Sequence, residues 1–109
     1  MPNPRLGVAL IGCGRVAPNH VSALIDHRDE LRLVATCDII ESKAERMRQR
    51  YLKGMSETSD QSAPEPVSAV KDYREVLDDP SIDFVAIATE SGLHAQIALD
   101  ALQAGKHVL

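Results

Sequence analysis

Residues 6–20 read LGVALIGCGRVAPNH, and the change of character inside this stretch sets the fold. Leu6 to Ile11 is an apolar run of the length of one buried strand, cut off by Gly12, Cys13 and Gly14. Beyond the break, apolar residues recur at helical spacing, so the reading is strand, glycine turn, helix. Gly12 admits backbone angles that other residues avoid. Gly14 lets the main chain come close to a neighbouring group, and Ala17 is small enough for the helix to lie tight on its strand. The spacing Gly12, Gly14, Ala17 is a G-x-G-x-x-A form of the dinucleotide fingerprint. In that arrangement a pyrophosphate rests on the helix N-terminus, where N–H groups lack partners and the helix dipole is positive. Glycine turns also serve packing alone, so the rest of the chain has to supply the context.

That context comes at the end of a second apolar run, Leu31 to Cys37 (LRLVATC), which Asp38 follows. A carboxylate at this place accepts hydrogen bonds from an adenosine ribose diol. An ordinary N-cap for the next helix is the other reading of Asp38, and its pairing with the glycine turn favours the ribose. The same charge would repel the additional phosphate of NADP, which puts NAD ahead of NADP.

The length of 109 residues allows at most one domain. A net charge of −4 and only three aromatic side chains argue against a nucleic-acid partner. No apolar run reaches the roughly 18 residues of a membrane span, and the opening MPNPR has no signal-peptide core, so a cytoplasmic location is expected. Cys13 and Cys37 lack metal-ligand spacing and read as small buried residues.

Further along, Val16 to about Arg28 is expected as a first helix with Ala17, Val21, Leu24 and Ile25 on its inner face. Pro18 falls in the first turn, where its missing N–H costs nothing. His20 could approach a ligand from this helix, although a helix-surface histidine is more commonly structural. Glu41 to Lys53 reads as a second helix with Ala44, Met47 and Tyr51 inward. Its acids near the start and its bases Arg46, Arg48, Arg50 and Lys53 towards the end complement the helix dipole. Gly54 to Pro66 is polar and is expected as a mobile surface loop. Val67 to Val70 then gives a short edge strand, and Tyr73 to Leu77 a short helix. Asp83 to Ala88 is the next buried strand. After Thr89, Glu90, Ser91, Gly92, Leu93 and His94, a helix carries the apolar stripe Ile97, Ala98, Ala101 and Leu102, with Ser91 as N-cap and Gly105 as stop. Lys106 to Leu109 begins another strand.

Alternating strands and helices of these lengths give an α/β fold, a doubly wound parallel sheet with helices on both faces. In such sheets ligands bind beyond the strand C-termini where the strand order reverses. The Gly12 turn, Asp38 and the loop from Thr89 to His94 all fall at strand C-termini, so they are expected to converge.

The segments GCGRVAPNH, DYREVLDDPSIDFVAIAT and SGLHAQIALDALQAGKHVL, with the Asp after the second strand, resemble the N-terminal domain of the Gfo/Idh/MocA oxidoreductases over nearly the whole chain. The resemblance implies a Rossmann-type fold that binds NAD or NADP. It also implies hydride transfer between nicotinamide and a hydroxyl-bearing carbon of a sugar, cyclitol or sugar nucleotide. Matched residue by residue, it assigns the phosphate loop to Gly12, Cys13, Gly14, Arg15 and Val16, and the ribose-binding acid to Asp38. The nicotinamide end falls to Thr89, Glu90, Ser91 and His94, with Glu90 in place of the family's usual proline. The SGLH wording leans towards dehydrogenases acting on UDP-N-acetylhexosamine derivatives.

The family continues from a strand like KHVL into a Glu-Lys-Pro triplet and then a mainly β-sheet substrate domain, and neither is in these 109 residues. Lys106 stands before the place of the triplet and is not its lysine, and His107 reads as a strand residue. The expectation is therefore a single truncated domain, residues 1–109, that binds cofactor without turnover and takes a sugar-type substrate only with the further domain. No catalytic residue is assigned in it. Its last strand would leave Val108 and Leu109 on an open edge, which invites homo-oligomers. A non-catalytic, NAD-sensing regulatory module of the same family is the alternative. A methyltransferase is a third reading, disfavoured by the Ala17 spacing and by the segment from SGLH to KHVL.

Overall fold

The computed structural model describes residues 5–58, 65–89 and 92–109. Its elements are β1 (Leu6–Ile11), α1 (Ala17–Asp26), β2 (Leu31–Cys37), α2 (Glu41–Ser56), β3 (Ser68–Val70), α3 (Tyr73–Leu77), β4 (Phe84–Ile87), α4 (Leu93–Gln103) and β5 (His107–Val108). The strands form one parallel sheet in the order β3-β2-β1-β4-β5. The chain runs outward from β1 through β2 to β3, then crosses back and runs outward the other way through β4 to β5. This is the doubly wound topology that the alternation of elements implies.

Strand residues alternate between two apolar layers. Val8, Leu10, Leu33 and Ala86 face α1 and α2, where they meet Ala17, Val21, Leu24, Ala44, Met47 and Tyr51. Ala9, Ile11, Ala35, Val85 and Ile87 face the other way, onto Val76 of α3 and Ile97 and Ala101 of α4. Leu10 is fully buried at the centre of the sheet, a burial worth about 1.5–3 kcal/mol. The pairing of β1 with β2 slips by one residue between Val8 and Ala9, leaving Val34 unpaired opposite the slip. Beyond this bulge the buried Thr36 faces α2 and donates its hydroxyl to the Ala44 carbonyl at 2.7 Å. A polar residue thus ties the strand to the helix above it.

Several expectations change in contact with tertiary structure. Leu6 lies half exposed at the start of β1 rather than buried. Helix α2 runs on through Gly54 to Ser56, into the segment expected as loop. A Cβ at Gly54 would sit 2.3 Å from Ile25 Cδ1, so this glycine allows α1 and α2 to approach and does not stop the helix. The middle of the expected loop, residues 59–64, lies outside the described residues. On α4, Leu102 is 58% exposed, so the inner stripe consists of Ile97, Ala98 and Ala101. The N-cap of α4 is Gly92, one residue past the expected Ser91, which is itself outside the described residues. Gly105 takes φ +81 just after the helix, as a helix-stop glycine does.

The amino ends of the strands are closed by polar contacts. Asp83 accepts the Gly7 N–H on its carboxylate at 2.7 Å and donates its own N–H to the Gly7 carbonyl at 2.7 Å. Lys106 is buried, and its ammonium donates to the carbonyls of Asp79 and Ile82, both at 2.8 Å. Arg5 and Arg32 both pair with Glu65. Arg48 donates Nε–H to the Val67 carbonyl at 2.6 Å and pairs with Glu45, so part of the basic cluster of α2 is structural.

Candidate functional site

The strand order reverses at β1, whose neighbours β2 and β4 lead to opposite edges of the sheet. Gly12 follows β1, Asp38 follows β2 and Thr89 follows β4 by two residues, so the topology brings these three to one rim. Gly12 has φ +91, and a Cβ there would lie 2.7 Å from both the Ala88 carbonyl carbon and the Thr89 nitrogen. The turn is pressed against the end of β4, and only glycine fits. Its first two N–H groups are engaged within the protein. Gly12 donates to the Cys37 carbonyl and Cys13 to Asp38 Oδ2, both at 2.8 Å.

The next three N–H groups are left open. Among the described residues, those of Gly14, Arg15 and Val16 donate to no protein acceptor. Helix α1 begins immediately afterwards, with no side-chain cap, no acid in its first turn and Pro18 at its start. Its positive end is therefore uncompensated. Gly14 needs no unusual φ, and a Cβ on it would meet nothing within 4 Å. Nothing within the described protein requires glycine at this position; a group resting on the turn would. Arg15 and Val16 are exposed beside it.

Asp38 is partly buried at the end of β2. Its Oδ1 accepts the Ile40 N–H at 2.8 Å, an Asx turn that sets the entry to α2, while its Oδ2 holds Cys13. The N-cap of α2 is Ile40, with no side-chain cap bond, so Asp38 is not an ordinary N-cap. With one bond on each oxygen, the carboxylate keeps a further lone pair on each for a hydroxyl donor. The residues after it, Ile39 and Ile40, are 78% and 48% exposed and bring no positive charge.

The two cysteines are buried, as their lack of ligand spacing suggests. Burial, then the charge of Asp38, pushes the Cys13 thiol up to about 12. Burial also raises Cys37 to about 12, with further contributions from Cys13 and Asp38. Cys13 thus presents neither a free N–H nor an exposed thiol at the rim, and its place in the site runs through Asp38.

On the β4 side, Thr89 Oγ1 is buried without a hydrogen-bond partner among the described residues. His94 lies exposed in the first turn of α4. Glu90 and Ser91, also expected at the site, lie outside the described residues. His20 turns away from the rim and lines, with His27, an apolar groove of about 70 Å³ between α1 and Phe84, Ala86 and Leu109. What the sequence reading missed is the second bond of Asp38. Its only local signal is an Asp two residues ahead of a helix start, the pattern of an Asx turn.

A doubly wound parallel sheet with an open glycine turn at the reversal of strand order defines the class as a Rossmann α/β domain. Residues 6–109 match the family model described as oxidoreductase family, NAD-binding Rossmann fold, and the chain belongs to this Gfo/Idh/MocA family. It is similar to inositol 2-dehydrogenase of Salmonella typhimurium, 26% identical over 103 residues that cover 94% of this chain and 27% of that protein. It is also similar to an α-N-acetylgalactosaminidase of Shewanella oneidensis, 31% identical over 103 residues, 92% of this chain and 21% of that one. Among solved structures, the WlbA dehydrogenase of Bordetella pertussis in complex with NADH and UDP-GlcNAcA superposes with a TM-score of 0.77 at 27% identity, over 96% of this chain and 28% of that one. The chain spans about a quarter of the length of these relatives. Among the described residues, no helix is long and apolar enough to cross a membrane.

Proposed function

We propose that this chain is the cofactor-binding domain of an NAD-dependent oxidoreductase, acting on a hydroxyl-bearing carbon of a sugar, cyclitol or sugar nucleotide together with a further, substrate-binding domain. The observation that carries this reading is the open row of donors at Gly14, Arg15 and Val16 beside a carboxylate with free lone pairs. The residues fit a dinucleotide. The three N–H groups and the positive end of α1 would hold the pyrophosphate, and the space over Gly14 admits it. Asp38 would accept the hydroxyls of the adenosine ribose, while Gly12 sets the turn and Cys13 anchors it. The Thr89 hydroxyl, without a partner among the described residues, and the exposed His94 stand at the β4 side, where the nicotinamide half would lie. Nicotinamide, when bound, supplies or accepts the hydride.

NAD is favoured over NADP. A phosphate on the ribose would meet the Asp38 charge, and the adjacent Ile39 and Ile40 offer no cation to offset it. The relatives named as dehydrogenases support the reaction class. The chain is similar as well to a protein named as a glycosidase, so the likeness does not by itself fix the chemistry of the substrate.

The test is titration of the purified chain with NADH and NADPH, followed by nicotinamide fluorescence and thermal unfolding. NADH at a hundredfold excess over its Kd is expected to stabilise the fold by about 2.7 kcal/mol. NADPH should bind more weakly, and the difference should shrink in Asp38→Ala. A folded chain that responds to neither nucleotide would sink the proposal.

A further inference from the structure

In a chain where the two glycines of the turn carry no side chain, something else must hold the turn in place. Gly12 N–H reaches the Cys37 carbonyl, and Cys13 N–H reaches Asp38 Oδ2, each at 2.8 Å. The Cys13 thiol also donates to the Cys37 carbonyl, at 3.5 Å, an ordinary length for a weak sulfur donor. These contacts end on the last residue of β2 and the residue after it, so β2 is the anchor of the turn. Asp38 is itself fixed, since its N–H donates to the Val70 carbonyl of β3 at 3.1 Å and its other carboxylate oxygen accepts from Ile40. The carboxylate thus bridges the glycine turn and the entry to α2 through one rigid group.

We propose that Asp38 is a positioning residue for the phosphate-binding turn in addition to any contact with ribose, holding Cys13 N–H so that the donors of Gly14, Arg15 and Val16 stay aligned. This rests on the cofactor reading above and deepens it. A bond between an amide and an ionised carboxylate is stronger than one between neutral groups, and removing the acceptor leaves the Cys13 N–H without a partner. Loss of the carboxylate therefore weakens the grip on pyrophosphate even for a ligand with no ribose hydroxyls. It follows that neutralising Asp38 to admit NADP gives up part of the phosphate site, so NADPH affinity does not rise.

The experiment compares NADH with 2′,3′-dideoxyadenosine diphosphate, which keeps adenine and pyrophosphate and lacks the ribose diol, on the wild-type chain and on Asp38→Ala. The expected result is that Asp38→Ala weakens the dideoxy ligand by about tenfold, and NADH by more. Equal affinity of the dideoxy ligand for both chains, with NADH weakened, would overturn the positioning role and leave the cofactor reading intact. A folded wild-type chain that binds neither ligand would overturn both. Amide hydrogen exchange of the ligand-free wild-type chain gives a second reading that does not depend on the variant folding. The Cys13 amide should be protected to an extent comparable with the Gly12 amide, and exchange of Cys13 at the rate of an exposed amide would overturn the proposal.

Discussion

At the amino ends of the strands polar groups meet one another, whereas at the carboxyl end of β1 a row of them is left open. Asp83 closes on both the N–H and the carbonyl of Gly7, and the Lys106 ammonium satisfies two carbonyls. The Ser81 hydroxyl and N–H hold the Asp79 carboxyl below its usual range, with Lys106 adding to the effect. At the opposite rim, Gly12 and Cys13 are tied to β2 and the residue after it, and the three N–H groups that follow have no acceptors among the described residues. Both rims contain a glycine in close contact with backbone, yet only the carboxyl rim has a glycine that the protein's own packing does not explain. One end of the sheet holds the fold together. The other has binding capacity left over.

The contrast can be broken most severely at Gly7. A Cβ there would lie 1.9 Å from the Ser81 carbonyl oxygen, so Gly7→Ala is expected to cost about 3 kcal/mol or more by urea unfolding. Next comes Lys106→Met, which leaves the Ile82 carbonyl without its donor at the amino rim, while the Asp79 carbonyl keeps the Ile82 N–H at 3.2 Å, and should cost about 2 kcal/mol. Because Lys106 is far from the turn, the folded fraction should keep wild-type NADH affinity. Gly12→Ala, with a positive φ and backbone at 2.7 Å, should lose about 2 kcal/mol of stability and also bind NADH more weakly. Gly14→Val sharpens the comparison. Its Cβ would meet nothing within 4 Å, so stability should stay within about 0.5 kcal/mol, while NADH affinity falls by roughly tenfold or more. Unchanged NADH binding in that variant would mean that the space over Gly14 is not used.

The smallest effect at neutral pH concerns the cysteines. Burial raises both folded thiols from 9.0 to about 12. A folded value above the unfolded one means that the neutral thiols contribute stability that is fully present below about pH 9. It is lost as pH rises from 9.0 through about 12. Unfolding midpoints measured across that window should fall, and replacement of both cysteines by alanine should flatten the decline. At pH 8.5, alkylation of the folded chain should be slow compared with the urea-unfolded chain.

Much of the fold is legible locally. The strands at Leu6–Ile11 and Leu31–Cys37 and the short helix at Tyr73–Leu77 fall where periodicity and boundary residues place them. Gly105 stops α4 with a positive φ, a local property that no tertiary contact need supply. Gly54 is the counterexample. It reads as a breaker, yet α2 runs through it, and the tip of Ile25 from the neighbouring helix occupies the place a Cβ would take. Leu102 sits at an inward spacing by sequence and is 58% exposed, because the face of α4 that packs on the sheet is that of Ile97, Ala98 and Ala101.

For the site, the spacing of Gly12, Gly14, Ala17 and Asp38 marks positions that the fold brings to the carboxyl end of β1 and its neighbour β2. It could not say which donors remain open, because that depends on bonds across the fold. Cys13 and Asp38 are 25 residues apart, and Lys106 and the Asp79 carbonyl are 27 apart. The sequence by itself determines periodicity, turns and residue type, all of which act over a few positions along the chain. Only the folded sheet, by setting β1 between β2 and β4, settles that Asp38 grips the turn, that Lys106 is buried and structural, and that a Cβ on Gly14 would meet nothing within 4 Å.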